Sequence, residues 1–195
     1  MLFKERTIMS KNPIEFVEST TIPETIIAHW IGTKVVTPHE GAAATLYDQS
    51  RFGEPSGKKI GYALVEALYL IEKEKLTLAE GKKTIDFDTF VKKARKEEPN
   101  LWLRYVVYRD LRNRGYIVKT ALKFGADFRV YDKGIKPGED HAKWIIYPVH
   151  EGSTTTWYEF SAKNRVAHST RKRLLIAITD EEDDVTYYEI KWTKP

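Results

Sequence analysis

Apolar positions recur along this chain with two periods, and the switches between them mark its elements. Thr25-Ile-Ile-Ala-His-Trp-Ile31 and Lys34-Val-Val-Thr37 flank Gly32-Thr33, the pattern of a hairpin, and Phe52–Gly57 is rich in turn formers. Residues 1–57 as a whole read as short β segments with turns. From Lys59 to about Glu74 the period becomes helical. Ile60, Ala63, Leu64, Ala67, Leu68 and Ile71 recur at steps of three and four, with Ser56 or Gly57 available as a cap. A short strand is predicted around Lys75–Leu78. A second helix follows over Asp86–Arg95, with Phe87, Phe90, Val91 and Ala94 on one face, and the unit ends near the Glu97-Glu-Pro-Asn100 break.

Residues 101–114 carry the strongest helical pattern. Leu101, Tyr105, Tyr108 and Leu111 form the apolar stripe, Asn100 is a candidate cap, and Gly115 stands where a left-handed terminator is wanted. Arg104, Arg109, Arg112 and Arg114 suit the negative end of the helix dipole. Strands are predicted at Tyr116–Lys119, Asp127–Tyr131, Ala142–Tyr147 and Thr155–Phe160, then a helix from Ser161 to about Ser169. The apolar strand Leu174–Ile178, an acidic loop and a final strand Val185–Trp192 close the chain. These patterns describe an α+β N-terminal unit over residues 1–98 and an α/β mixed-sheet C-terminal domain over residues 99–195.

Charge sharpens this picture through its distribution. Residues 1–103 hold 15 basic and 15 acidic side chains, residues 104–173 hold 15 and 7, and residues 174–195 hold 2 and 6. A block of +8 between a neutral half and an acidic tail is the footprint of a polyanion-binding surface. The absence of cysteine excludes disulfides and thiolate metal sites. His29, His39, His141, His150 and His168 show no paired ligand spacing, so no metal and no cofactor is expected. The longest apolar runs are five or six residues, and the start Met1-Leu-Phe-Lys-Glu-Arg lacks a signal-peptide pattern. A cytoplasmic protein without a membrane partner is expected.

Within the basic block, Tyr131 ends an alternating strand, a Gly/Pro loop follows, and His141 opens the next strand; Lys172 lies in the cluster Arg171-Lys-Arg173. Cleaving RNA without metal requires a base for the 2′-hydroxyl, an acid for the leaving 5′-oxygen, and a cation for the phosphorane. Histidine suits proton transfer and lysine the developing charge. Tyrosine is a weak base at its ordinary pKa of about 10, and a field of Lys and Arg is expected to lower it. Each residue type also has an ordinary structural use: strand-end packing for Tyr131, a loop histidine for His141, a solvated cation for Lys172. His168 competes with Lys172 for a functional role.

Longer motifs now become informative. Tyr105-Val-Val-Tyr-Arg-Asp-Leu-Arg-Asn-Arg-Gly-Tyr-Ile-Val-Lys119, Lys123-Phe-Gly-Ala-Asp-Phe-Arg-Val-Tyr131, His141-Ala142, Arg165-Val-Ala-His-Ser-Thr-Arg-Lys-Arg-Leu-Leu-Ile-Ala-Ile178, Tyr187-Tyr188 and the closing Lys194-Pro195 resemble the archaeal tRNA-splicing (tRNA-intron) endonuclease. The resemblance is dense over residues 101–195 and looser toward Leu64–Leu70. It implies a nuclease-like C-terminal domain and a catalytic subunit that excises introns from precursor tRNA at bulge-helix-bulge sites, leaving 2′,3′-cyclic phosphate and 5′-hydroxyl ends. It further implies Tyr131 as general base, His141 as general acid and Lys172 as charge stabiliser, with Arg165 holding a bulge base. The acidic loop Asp180, Glu181, Glu182, Asp183 and Asp184 is implied to dock into a basic cleft of a neighbouring subunit, in a homotetramer. The rival expectation is a non-catalytic RNA-binding subunit of such an assembly. A metal-dependent nuclease of similar fold, using Asp127, Asp132 and Asp140, is the disfavoured alternative.

Overall fold

A computed structural model describes residues 25–122 and 125–193. The part of the β-rich expectation that falls on residues 1–24 lies outside them, as does the closing Lys194-Pro195.

The first sheet is built from β1 (Ile26–Ile31), β2 (Lys34–Pro38), β3 (Glu54–Ser56), β4 (Lys59–Ala63), β5 (Leu76–Glu80) and β6 (Lys83–Ile85), in the order β3-β4-β2-β1-β5-β6. β1 and β2 form the expected hairpin, and β1 also pairs with β5 in parallel. Three helices belong to this half: α1 (Gly41–Ser50), α2 (Leu64–Glu72) and α3 (Phe87–Glu97). Two expectations are corrected here. Residues 41–50 are helical, not β. The helix predicted from Lys59 starts only at Leu64, because Ile60 and Tyr62 alternate inward from a strand before the period changes. Neither Ser56 nor Gly57 caps it; the Glu66 carboxylate turns back to accept from the Ala63 amide at 3.0 Å.

The second sheet runs β11-β10-β9-β8-β7, with β7 (Val118–Thr120), β8 (Phe128–Val130), β9 (Trp144–His150), β10 (Arg173–Thr179) and β11 (Val185–Ile190). β9 and β10 are parallel and joined by α5 (Trp157–Ser169), while the remaining pairs are antiparallel, so the sheet is mixed as expected. The strand predicted over Thr155–Phe160 does not form. Thr156 accepts from the Glu159 amide while the Glu159 carboxylate accepts from the Thr156 amide at 2.8 Å, and this reciprocal cap opens α5 at Trp157.

Helix α4 (Leu101–Asn113) is the spine between the sheets. Leu101, Tyr105, Tyr108 and Leu111 are buried in one core with Leu64 and Leu68 of α2, Phe90 of α3 and Phe128 of β8. Asn100 makes no side-chain cap bond, contrary to expectation, whereas Gly115 does end the helix at φ +87°. Nor do the arginines simply serve the dipole. Arg112 is buried, donating from Nε to the Tyr108 hydroxyl at 3.0 Å and from Nη1 to the Ser50 carbonyl at 3.0 Å, with its guanidinium 3.9 Å above the Phe52 ring. Arg104 is buried between Glu98 and Asp127. Part of the basic excess of the middle block is therefore consumed inside the fold.

Candidate active site

Strand order brings the three nominated side chains together. Tyr131 directly follows β8. β9 runs antiparallel to β8, so the start of β9 lies at the end of β8, with Val130 opposite Trp144. β10 runs parallel to β9, and Arg173 also sits opposite Trp144. The end of β8, the approach to β9 and the approach to β10 thus meet at one edge of the sheet. There Tyr131, His141 and Lys172 line a single cleft of about 370 Å³ with Arg129, Gly138, Glu139, Asp140 and Ala142.

Each is held by its local backbone. The Tyr131 amide donates to the Ile117 carbonyl at 3.0 Å, and the side chain is buried. His141 lies three residues ahead of β9 rather than opening it. The turn before it passes through Gly138 at φ +97°, and its amide donates to the Asp140 carboxylate at 2.6 Å while the ring stays exposed. Lys172 follows Arg171, which takes φ +54° to break away from α5. Its amide donates to the Ala167 carbonyl and its Nζ to the Thr170 carbonyl, both at 2.9 Å. Burial, and secondarily Arg129, lower the Lys172 pKa, so its ammonium is less solvated than a surface lysine.

The expectation that the basic field lowers the Tyr131 pKa is corrected. Burial dominates and pushes it above the usual tyrosine value; Arg129 works in the opposite direction and Glu54 adds to the rise. The hydroxyl therefore rests protonated.

The other nominated residues lie elsewhere. Arg165 is exposed on α5 and does not line the cleft. One turn further on, the His168 ring lies 4.7 Å from that of Trp192, a largely exposed aromatic that sequence reasoning overlooked. The acidic loop joins β10 to β11 at the opposite edge of the sheet from the cleft. Its five acids divide. Asp180 accepts from the amides of Glu182 and Asp184, and Asp183 accepts from the Trp102 indole at 3.1 Å, so these two shape the loop. Glu181, Glu182 and Asp184 face solvent.

The carboxylates considered for metal are dispersed: Asp127 faces Arg104, Asp132 faces Lys143, and Asp140 holds the His141 amide. Among the described residues no group of three His, Asp or Glu side chains is placed to hold an ion, and no helix is long and apolar enough to cross a membrane.

The α+β unit and the mixed-sheet domain, with the cleft at the strand ends of the second, each find a match among known families. Residues 26–91 match the model of the tRNA intron endonuclease N-terminal domain, and residues 101–187 match that of the tRNA intron endonuclease catalytic C-terminal domain. The chain is 39% identical to the tRNA-splicing endonuclease of Thermococcus onnurineus over 184 residues, covering 94% of this chain and 99% of that one. It is 39% identical to that of Methanothermobacter thermautotrophicus over 166 residues (85% and 96%), and 45% identical to that of Nanoarchaeum equitans over 138 residues (68% and 88%). The chain belongs to the tRNA intron endonuclease family.

Proposed function

We propose that this chain is a catalytic subunit that excises introns from precursor tRNA by metal-independent cleavage at bulge-helix-bulge sites, with residues 99–195 as the catalytic domain. The observation that carries the reading is the convergence of Tyr131, His141 and Lys172 on one cleft from three strand ends. In this mechanism the phenolate form of Tyr131 takes the proton of the 2′-hydroxyl, and the 2′-oxygen attacks phosphorus. The bond to the 5′-oxygen breaks as His141 gives that oxygen a proton. Lys172 stabilises the phosphorane oxygens, its desolvated charge acting more strongly than one in water. The products carry a 2′,3′-cyclic phosphate and a 5′-hydroxyl. Arg165 and, three residues further along α5, the His168–Trp192 ring pair offer a guanidinium and aromatic faces to a bulged base, whose own faces are free to stack.

Cleavage of a bulge-helix-bulge RNA in excess EDTA, with analysis of the product ends, tests this. Undiminished cutting with cyclic-phosphate ends is expected. Binding without cutting would assign the chain to a non-catalytic RNA-binding role, and cutting only on addition of a divalent ion would overturn the triad.

The surface also supports self-assembly as a homotetramer. β11 is an edge strand, and Ile176, Ile178, Tyr188 and Ile190 line an open apolar groove beside it, the kind of surface a second copy covers. Between the two sheets, Lys73, Lys75 and Lys136 border a cleft complementary to an acidic loop from another copy. The triple variant Glu181→Gln, Glu182→Gln, Asp184→Asn is expected to halve the mass measured by light scattering. An unchanged tetramer would mean the loop does not dock.

A further inference from the structure

Arg129 lines the cleft and the triad does not account for it. It stands two residues before Tyr131, so the pleat puts both on one face of β8 while Phe128 and Val130 turn into the core. Its cross-strand neighbour on β7 is another cation, Lys119. Two like charges directly opposite are unfavourable unless something lies between them. Here Glu54 does so. It reaches across from β3 of the other sheet, its Oε1 3.1 Å from Lys119 Nζ and 3.9 Å from Arg129 Nη2. The Arg129 Nε is buried without a hydrogen-bond partner of its own, so the guanidinium is held by charge more than by directed bonds.

We propose that Arg129 and Glu54 are a pair of positioning residues, one from each sheet, that together set how readily the Tyr131 hydroxyl yields its proton. The proposal rests on the assignment of Tyr131 as the base. The titratable groups that line the cleft with Tyr131 are Arg129 on its own strand, Glu139, Asp140, His141 and Lys172, and behind Arg129 stand Glu54 of β3 and its partner Lys119 of β7. Arg129 favours the phenolate and Glu54 opposes it, the same signs found for the Tyr131 titration. Glu54 thereby makes part of the N-terminal unit an electrostatic component of the site.

The two members have opposite signs, and that makes the idea testable by single-turnover cleavage measured across RNA concentrations up to saturation. Arg129→Gln is expected to lower the rate constant about tenfold, with Arg129→Lys keeping most of it, and Glu54→Gln is expected to raise it about threefold. Glu54 is well exposed and Lys119 retains Glu66 and two carbonyls, so the Glu54→Gln fold should persist, as melting would confirm. The fall in Arg129→Gln is also expected with an alkaline limb displaced to higher pH. A fall in both variants would make the pair a structural anchor only. A loss in Arg129→Gln confined to KM would make Arg129 a phosphate grip. Either outcome, or no effect of either variant, overturns the proposal. Tyr131→Phe run alongside separates the two levels: if it cleaves like wild type, the base assignment itself has failed.

Discussion

Cleavage by His141→Ala is expected to fall by about 10²–10⁴-fold at neutral pH and then to climb about tenfold per pH unit into the alkaline range. The climb follows from the base. Burial holds the Tyr131 hydroxyl above the ordinary tyrosine pKa, so the phenolate fraction grows tenfold with each pH unit. Hydroxide attack on RNA also rises with pH, so the double variant Tyr131→Phe, His141→Ala supplies the background to subtract. A His141→Ala rate that is depressed by one constant factor at every pH would show that His141 positions the substrate and does not donate the proton.

That experiment tests residues that side-chain type and family resemblance nominate from the sequence alone. The sequence could supply the nominees because Tyr, His and Lys have distinct chemistry. Their meeting point could not be read locally, since it depends on β9 pairing with both β8 and β10 and on the parallel crossover through α5. Arg129 was closer to legible, because a residue two positions before Tyr131 on a strand must share its face. Glu54 was not, being 75 residues away in sequence and in a different sheet.

The errors in the elements have similar causes. α3, α4 and β11 were readable because their apolar periods are long or their termini are marked, as at Asp86, which accepts from the Thr89 amide at 2.8 Å. In Ile60–Leu64, spacings of three and four fit a helix as well as an alternating strand fits Ile60 and Tyr62, and pairing with β2 and β3 decided for the strand. In Thr155–Phe160, β-branched and aromatic residues suggested a strand, yet Thr156 and Glu159 have the spacing of a reciprocal helix cap, and local hydrogen bonding prevailed over propensity. The five acids of the loop looked equivalent in sequence. The indole of Trp102, in the first turn of α4 and 81 residues away in sequence, sets Asp183 apart from its neighbours.

Lys119→Met is expected to destabilise the fold by about 3–5 kcal/mol, which for a chain of this size lowers the melting temperature by roughly 6–20 °C. The Lys119 side chain is only 3% exposed, and its ammonium stitches the second sheet to the first. It donates to the Arg51 carbonyl at 2.9 Å and to the Gly53 carbonyl, and lies 3.6 Å from the buried Glu66. Methionine keeps most of the volume, so the loss reports the charge and its hydrogen bonds, not a cavity. What remains is an uncompensated carboxylate and two carbonyls without their donor. Replacing both partners often restores stability where an ion pair is buried in apolar surroundings. That rescue should fail here, because Glu66 also accepts from the Gly53 amide at 3.1 Å and the Ala63 amide at 3.0 Å. The double variant Lys119→Met, Glu66→Met is therefore expected to melt no higher than Lys119→Met alone, and a double variant restored to wild-type stability would show that the pair carries charge compensation and nothing more. Chemical denaturation of the wild type and the two variants measures this directly. Glu54 binds the same ammonium from its solvent side, so one buried cation both joins the sheets and helps orient the acid proposed to act on Tyr131.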